Sequence, residues 1–350
     1  MTDFAESKPL ITIAIPTCNR ASLLRGCIDS VLSQSYEKFE ILVCDNASTD
    51  RTTEMLSEID DPRLRVVRHE QNIGLMPNWN ACITEARGDF IVFVPDDDRI
   101  APWMLERCTD LLARDPSLVG VVALNDLHLL KDGRRLGPAQ SRILPTGIHE
   151  GSDILLEYLR GHLSVQMCSL VISTRLLRRI GGFANDWPYA GDTAAWSRIM
   201  LMGRAGLVNE SCATFAWHDE SATSKYPISN RRDSGRRFIA TLDTAIDYHV
   251  ADPVLRTNIK REVRRYIARD MMAAITSCRK SGVSLARMLP RIWQCRREIA
   301  HSRMAVGASE FTRFVAIILL PGFVSGIVGR IGQSLRGRAC RGSEDYRPDA

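Results

Sequence analysis

FIVFVPDDDRIAP, residues 90–102, sets the problem. A run of apolar and β-branched residues reads as a short buried strand, Pro95 closes it, and Asp96, Asp97 and Asp98 follow side by side. Two unit charges about 4 Å apart repel by roughly 4 kcal/mol at an effective dielectric near 20. Three carboxylates at the end of a buried strand either sit in a solvated turn or need a partner. Arg99 is the single adjacent cation and no lysine accompanies the triplet, so a divalent cation with oxygen ligands is the simplest partner.

Upstream of the triplet, strands alternate with helices. LITIAI (10–15), FEILVC (39–44), LRVVR (64–68) and DFIVFV (89–94) have the apolar, β-branched character of strands. Between them, ASLLRGCIDSVLSQ places Leu23, Leu24, Cys27, Ile28, Val31 and Leu32 on one stripe at helical period, and DRTTEMLSEI and MPNWNACITEA read as further helices. This alternation predicts a parallel sheet with right-handed crossovers. PTCNR, DNASTD and PDDD each follow a strand, so in a parallel sheet they share one edge and converge on a crevice. The same residues also suit helix entry, with Ser48, Thr49 or Asp50 as caps and NRAS serving likewise.

Downstream, KDG after VVALNDLHLL predicts a hairpin and an antiparallel strand. SDILLEYLRG reads as a helix capped by Ser152, VQMCSLVIS as a strand, and TRLLRRI as a helix stopped by Gly181 and Gly182. A further helix begins near Asp192, which is itself a candidate N-cap. His218 ends an apolar stretch beside Asp219 and Glu220.

With 350 residues, 45% hydrophobic and 25% charged, the composition is that of an ordinary globular protein, not a disordered or fibrous one. The ten cysteines show no C-x-x-C pair or His/Cys ligand spacing, which argues against structural zinc and for a reducing compartment. MTDFAESKPL lacks a signal pattern, and the nearest approach to a membrane span, FVAIILLPGFVSGIVG (314–329), is broken by Pro321 and glycines. From Arg231 onward basic residues outnumber acidic ones about two to one. LDTAIDYHV, IKREVRRYIARDMMAAITSCRK and LARMLPRIWQCRREI read as helices there. Beside the 314–329 stretch they suggest either peripheral docking on an anionic cytoplasmic membrane face or a solvated helical appendage; nucleic acid fits less well.

In order and spacing, ITIAIPTCNRASLLRGCIDSVLSQSY, ILVCDNASTDRT, NIGLMPNWNACITEARGDFIVFVPDDD, IGGF and GDTAAW resemble the family 2 glycosyltransferases, inverting nucleotide-sugar enzymes of the GT-A fold, from about Leu10 to Lys225. The resemblance implies an α/β fold with a Rossmann-like, mostly parallel central sheet flanked by helices and a helical C-terminal extension. It implies an N-terminal tail (1–9), a nucleotide-sugar half (10–125), an acceptor half (126–228) and a basic, mainly helical region (229–350). Pro16, Thr17, Asn19, Arg20, Ser48, Asp50, Asn72, Gly74 and Asn80 would then serve the nucleotide-sugar, and Asp45 would accept a hydrogen bond from the base, usually uracil. Asp96 would face the ribose, Asp97, Asp98 and His218 would hold Mn2+ or Mg2+, and Asp192 would be the catalytic base. Gly191 stands where relatives often carry a second acid, and Pro95 where many carry the first aspartate of D-x-D. The implied activity is transfer from a nucleotide diphosphate donor, UDP-linked by preference, to a glycan or lipid-linked hydroxyl in cell-surface polysaccharide or lipopolysaccharide synthesis. Two alternatives are a metal-dependent phosphohydrolase, which PTCNR after the first strand argues against, and a non-catalytic nucleotide-binding subunit of a polysaccharide-assembly complex.

Overall fold

Ile11, Ile13 and Ile15 project to one face of strand β1 (Ile11–Thr17), Thr12 and Ala14 to the other, and all five are buried. A strand buried on both faces belongs inside a sheet covered by helices on both sides. The computed structural model describes residues 8–130, 132–187, 189–219, 221 and 228–280. In it β2 (Phe39–Asp45) and β4 (Phe90–Phe93) flank β1 in parallel, and β3 (Leu64–Arg68) lies parallel outside β2. Helices α1 (Ala21–Leu32), α2 (Thr52–Ser57) and α3 (Leu75–Glu85) form the intervening connections.

α1 packs Leu24, Cys27, Ile28 and Val31 against the isoleucine face of β1, and α4 (Met104–Arg114) adds Met104, Leu105, Cys108, Leu111 and Leu112 to the same core. Burying each large side chain contributes about 1.5–3 kcal/mol. Elsewhere in the core, Trp79 of α3 stacks on Phe93 at 5.0 Å and meets Phe183 edge-on at 5.6 Å.

The second half extends and reverses the sheet. It contains β5 (Arg99–Ile100), β6 (Gly120–Leu129), β7 (Arg134–Leu136), β8 (Gly147–Glu150), α5 (Gly151–Arg160), β9 (Leu170–Ser173), α6 (Thr174–Arg179), α7 (Gly191–Met200) and β10 (Arg204–Trp217). The strand order is β3-β2-β1-β4-β9-β6-β10-β5, with β7 on β6 and β8 on β10. β9 is antiparallel to β4 and β6, whereas β10 is parallel to β6 and antiparallel to β5 and β8. The hairpin expected after residue 130 joins β6 to β7.

Three local expectations need correction. Only Leu170–Ser173 of the strand expected at 165–173 pairs in the sheet; Met167–Ser169 is a 3-10 turn because Gln166 and Ser169 exchange capping bonds. Ser152 does not cap α5: the Gly151 N–H bonds the Gly203 carbonyl at 3.0 Å, and the helix starts two residues earlier, with Glu150 as its N-cap. Asp192 likewise lies inside α7, whose N-cap is Ala190.

Helices α8 (Ile228–His249) and α9 (Pro253–Lys280) follow. The described residues up to Ser221, together with Ser234–Glu262, pack as one compact unit; residues 228–233 and 263–280 belong to a second. The first unit thus reaches past the sequence-based boundary at 228, since Trp187 donates its indole N–H to Ser234 Oγ at 3.0 Å and Arg237 pairs with Asp186 at 2.9 Å. No described helix is long and apolar enough to cross a membrane. The helix expected at 285–299 and the apolar stretch 314–329 lie outside the described residues.

Candidate active site

Because β2, β1 and β4 are parallel neighbours, their carboxyl ends release PTCNR, DNASTD and PDDD along one edge. The loops are tied together there. Thr17 donates its hydroxyl to Asp96 Oδ2 at 2.7 Å, Asn46 N bonds the Thr17 carbonyl at 2.9 Å, and Asn19 N bonds Ser48 Oγ at 2.8 Å. Beside them opens a cavity of about 260 Å³. Its wall includes Pro16, Thr17, Cys18 and Arg20, the triplet Asp96–Asp98, and Asp192 from the far segment.

The triplet is not three free anions. Arg20 Nη1 lies 3.1 Å from Asp96 Oδ1 and 3.0 Å from Asp97 Oδ2, and His218 Nε2 lies 2.8 Å from the same Asp97 oxygen. The adjacent cation expected from sequence, Arg99, turns away instead: its guanidinium donates to the Asp98 carbonyl at 2.7 Å and the Leu23 carbonyl at 3.2 Å. Asp98 is buried, and its Oδ1 accepts the Ala216 N–H at 2.8 Å. Burial, reinforced by the Asp97 charge, pushes its carboxyl well above the usual range. Through that bond to the Ala216 amide, Asp98 ties the end of β10 to the triplet while still lining the cavity. Burial also pushes Asp96 up, to about 6, against the opposing pull of Arg20.

β5 explains how β10 reaches this place. Thr214 pairs with Arg99 and Ala213 with Ile100, so the two residues after the triplet carry the end of β10 alongside it. Phe215 and Ala216 then line the cavity, and His218 meets Asp97.

Asp192 is half-buried near the start of α7, accepting the Thr193 N–H at 2.7 Å. Burial raises its pKa, which brings a carboxylate towards proton-accepting strength. The preceding Ala190 is left-handed, with φ 62°. Asn19 and Ala47 are the other non-glycine residues with positive φ among those described, at 56° and 57°. All three adjoin or lie within two residues of a cavity-lining residue: Cys18 and Arg20, Asn46, and Asp192. Left-handed backbone costs roughly 1–2 kcal/mol at a residue with a Cβ, and its concentration here is typical of functional sites.

Other expected contacts are placed one layer back from the cavity. Asn19 Oδ1 accepts the Thr49 N–H at 2.6 Å, and Asp50 accepts the N–H groups of Ala21 and Thr52 at 3.0 Å each, so these residues brace two helix entries. Asp45 is buried, accepting the Ser48 N–H at 2.9 Å and pairing with Arg68. Asn72 accepts from the Gly74 amide and the Asn46 side chain. Asn80 clamps Phe183 through both its N–H and its carbonyl. Sequence reading missed Asn46, Asn78, Trp79, Gln166 and Phe215 as cavity residues, and Arg68 as the partner of Asp45. Asn46 had a signal, directly following Asp45 at a strand end; the others look like ordinary helix or strand residues.

Residues 12–155 match the family described as Glycosyl transferase family 2. The chain is 27% identical over 261 residues to an uncharacterized protein of Mycobacterium tuberculosis, covering 73% of this chain and 80% of that protein. It is 32% identical over 222 residues to the chondroitin synthase of Pasteurella multocida, covering 62% of this chain but only 22% of the synthase. The fold is similar to that of Staphylococcus aureus TarS 1–349 in complex with UDP-GlcNAc, with a TM-score of 0.65 at 16% identity over 97% of this chain and 93% of the other. Residues 12–155 thus carry the likeness to family 2 glycosyltransferases, and the comparison with TarS extends the similarity of fold over the rest.

Proposed function

We propose that the protein is a metal-dependent, inverting glycosyltransferase that moves a sugar from a UDP-linked donor to a hydroxyl of a glycan or lipid-linked acceptor in cell-surface polysaccharide or lipopolysaccharide synthesis. The observation that carries this reading is that Asp192 and the triplet, about a hundred residues apart in sequence, line one cavity. The fold similarity to a UDP-GlcNAc complex supports the choice of donor.

Asp97 and His218 offer a carboxylate oxygen and an imidazole nitrogen side by side, a donor pair that suits Mn2+ or Mg2+ shared with a diphosphate. Among the described residues no group of three His, Cys, Asp or Glu side chains is spaced to hold a metal, so diphosphate and water oxygens would complete the coordination. When bound, the cation supplies positive charge to a leaving diphosphate. Arg20, next to Asp96 and Asp97, is placed to donate to the same anion. In this reading Asp45, held from behind the cavity by Ser48 and Arg68, serves the base side of the donor, and Asp96, on the cavity wall, serves the ribose.

Asp192 takes the proton of the acceptor hydroxyl as its oxygen forms a bond to the anomeric carbon and the bond to the diphosphate breaks. One displacement with one base inverts the anomeric centre, and no second carboxylate is needed as nucleophile. In this reading the protein works on the cytoplasmic side of a membrane, with its basic C-terminal region as the peripheral contact. Release of nucleoside diphosphate from a panel of nucleotide-sugars, with and without Mn2+, tests the assignment; no metal-stimulated release from any donor would refute it.

A further inference from the structure

The last residues of β10 form one wall of the active site. Phe215 and Ala216 line the cavity, the Ala216 N–H holds Asp98, and His218 reaches Asp97. Trp217 sits among them without entering the cavity. Alternation along a strand puts it on the same face as Phe215, and the two rings meet edge-on with centroids 6.4 Å apart. Phe215 points the way in, while Trp217 stands 37% exposed just outside.

Strand register extends this face. Phe215 is paired with Leu127 and Trp217 with Leu129, and across β6 Leu127 is paired with Leu136, which is 45% exposed. The result is a small apolar ledge leading to the cavity, with Arg134 paired to Leu129 at its rim. A partly exposed indole leaves apolar area in water that burial would stabilise. An indole left uncovered there is explained if something else covers it.

We propose that Trp217 is the platform for a pyranose ring of the acceptor, a reading that rests on the glycosyl transfer proposed above. An acceptor must bring one hydroxyl to Asp192 while the rest of its glycan trails out of the cavity, and Asp192 and Phe215 share that cavity. A pyranose carries a flat C–H face and a polar rim, which fits an exposed indole face better than an extended acyl chain does.

The test uses the full chain on an array of immobilised oligosaccharides, with UDP affinity measured in parallel by calorimetry. The unmodified protein should retain a subset of glycans. Trp217→Ala should weaken binding to that subset about tenfold, and Trp217→Phe should stay within about threefold, with UDP affinity unchanged in both. Equal glycan retention by Trp217→Ala, or retention of no glycan by the unmodified protein, overturns the platform. So does a Trp217→Ala defect that appears on anionic phospholipid vesicles instead of on glycans. Glycan binding that depends on Trp217 in a protein that does not bind UDP supports the platform and removes the donor reading instead.

Discussion

His218 Nε2 lies 2.8 Å from Asp97 Oδ2, although 121 residues separate the two in the chain. The contact exists because β5 pairs with β10 directly after the triplet and brings the end of β10 to the strand-edge carboxylates. It joins the two halves of the transferase unit at the point where charge must be managed.

Asp97→Ala is expected to abolish Mn2+-dependent binding of UDP, and His218→Ala to weaken it about 10- to 100-fold. Isothermal calorimetry with and without the cation measures both. Unchanged affinity in Asp97→Ala would exclude that carboxylate as a ligand.

Arg20 bridges Asp96 and Asp97, so it offsets charge on two of the three carboxylates before any donor arrives. Arg20→Met should cost about 2 kcal/mol by leaving buried carboxylates without their cation, a fall of roughly 5 °C in Tm in chelator. Added Mn2+ should restore part of the loss. A Tm in chelator equal to that of the unmodified protein would show that the triplet does not depend on Arg20.

Asp192→Asn should lower transfer by about 10²–10⁴-fold while sparing donor binding. Burial raises the Asp192 pKa above its unfolded value, so the ionised side chain disfavours the fold as pH rises through that window and fully above it. The asparagine variant should therefore melt higher than the unmodified protein at neutral pH. The same shift places the acid limb of the transfer rate above the ordinary carboxylate range, with activity lost as pH falls through it. Calorimetric melting and a pH–rate profile check both signs; a limb at the ordinary carboxylate position would contradict the burial argument.

The loop before Asp192 is braced from α8. Ser234 Oγ receives the Trp187 indole N–H and donates to the Tyr189 carbonyl at 3.2 Å, while Arg237 lies over the Trp187 ring. Ser234→Ala should cost about 1 kcal/mol and lower kcat about three- to tenfold without changing UDP affinity. Steady-state kinetics with calorimetry separates these effects, and an unchanged kcat would mean that the brace does not position the base.

Gly182 has φ 67°, and a Cβ there would come 2.5 Å from Asn80 Oδ1. Gly182→Ala should destabilise the protein by about 1–3 kcal/mol, read by urea unfolding. Wild-type stability would show that the Asn80 clamp on Phe183 yields easily.

The amino-acid sequence by itself determined the parallel first half. Isoleucines alternating along β1, a helical stripe in α1 and polar clusters after each strand are local patterns, and local patterns survive without knowledge of distant partners. It also marked the triplet and Asp192 as residues of interest through the resemblance they help carry. The tertiary structure decided how those charges are shared. Arg20 rather than Arg99 neutralises Asp96 and Asp97, and Asp98 turns inward to hold β10. Asn19, Ser48 and Asp50 bind one another's loops from behind the cavity wall. A side chain's partner depends on distance, and distance between segments is set by sheet order, β9 reversing between β4 and β6 and β5 receiving β10, which no periodicity in the chain encodes.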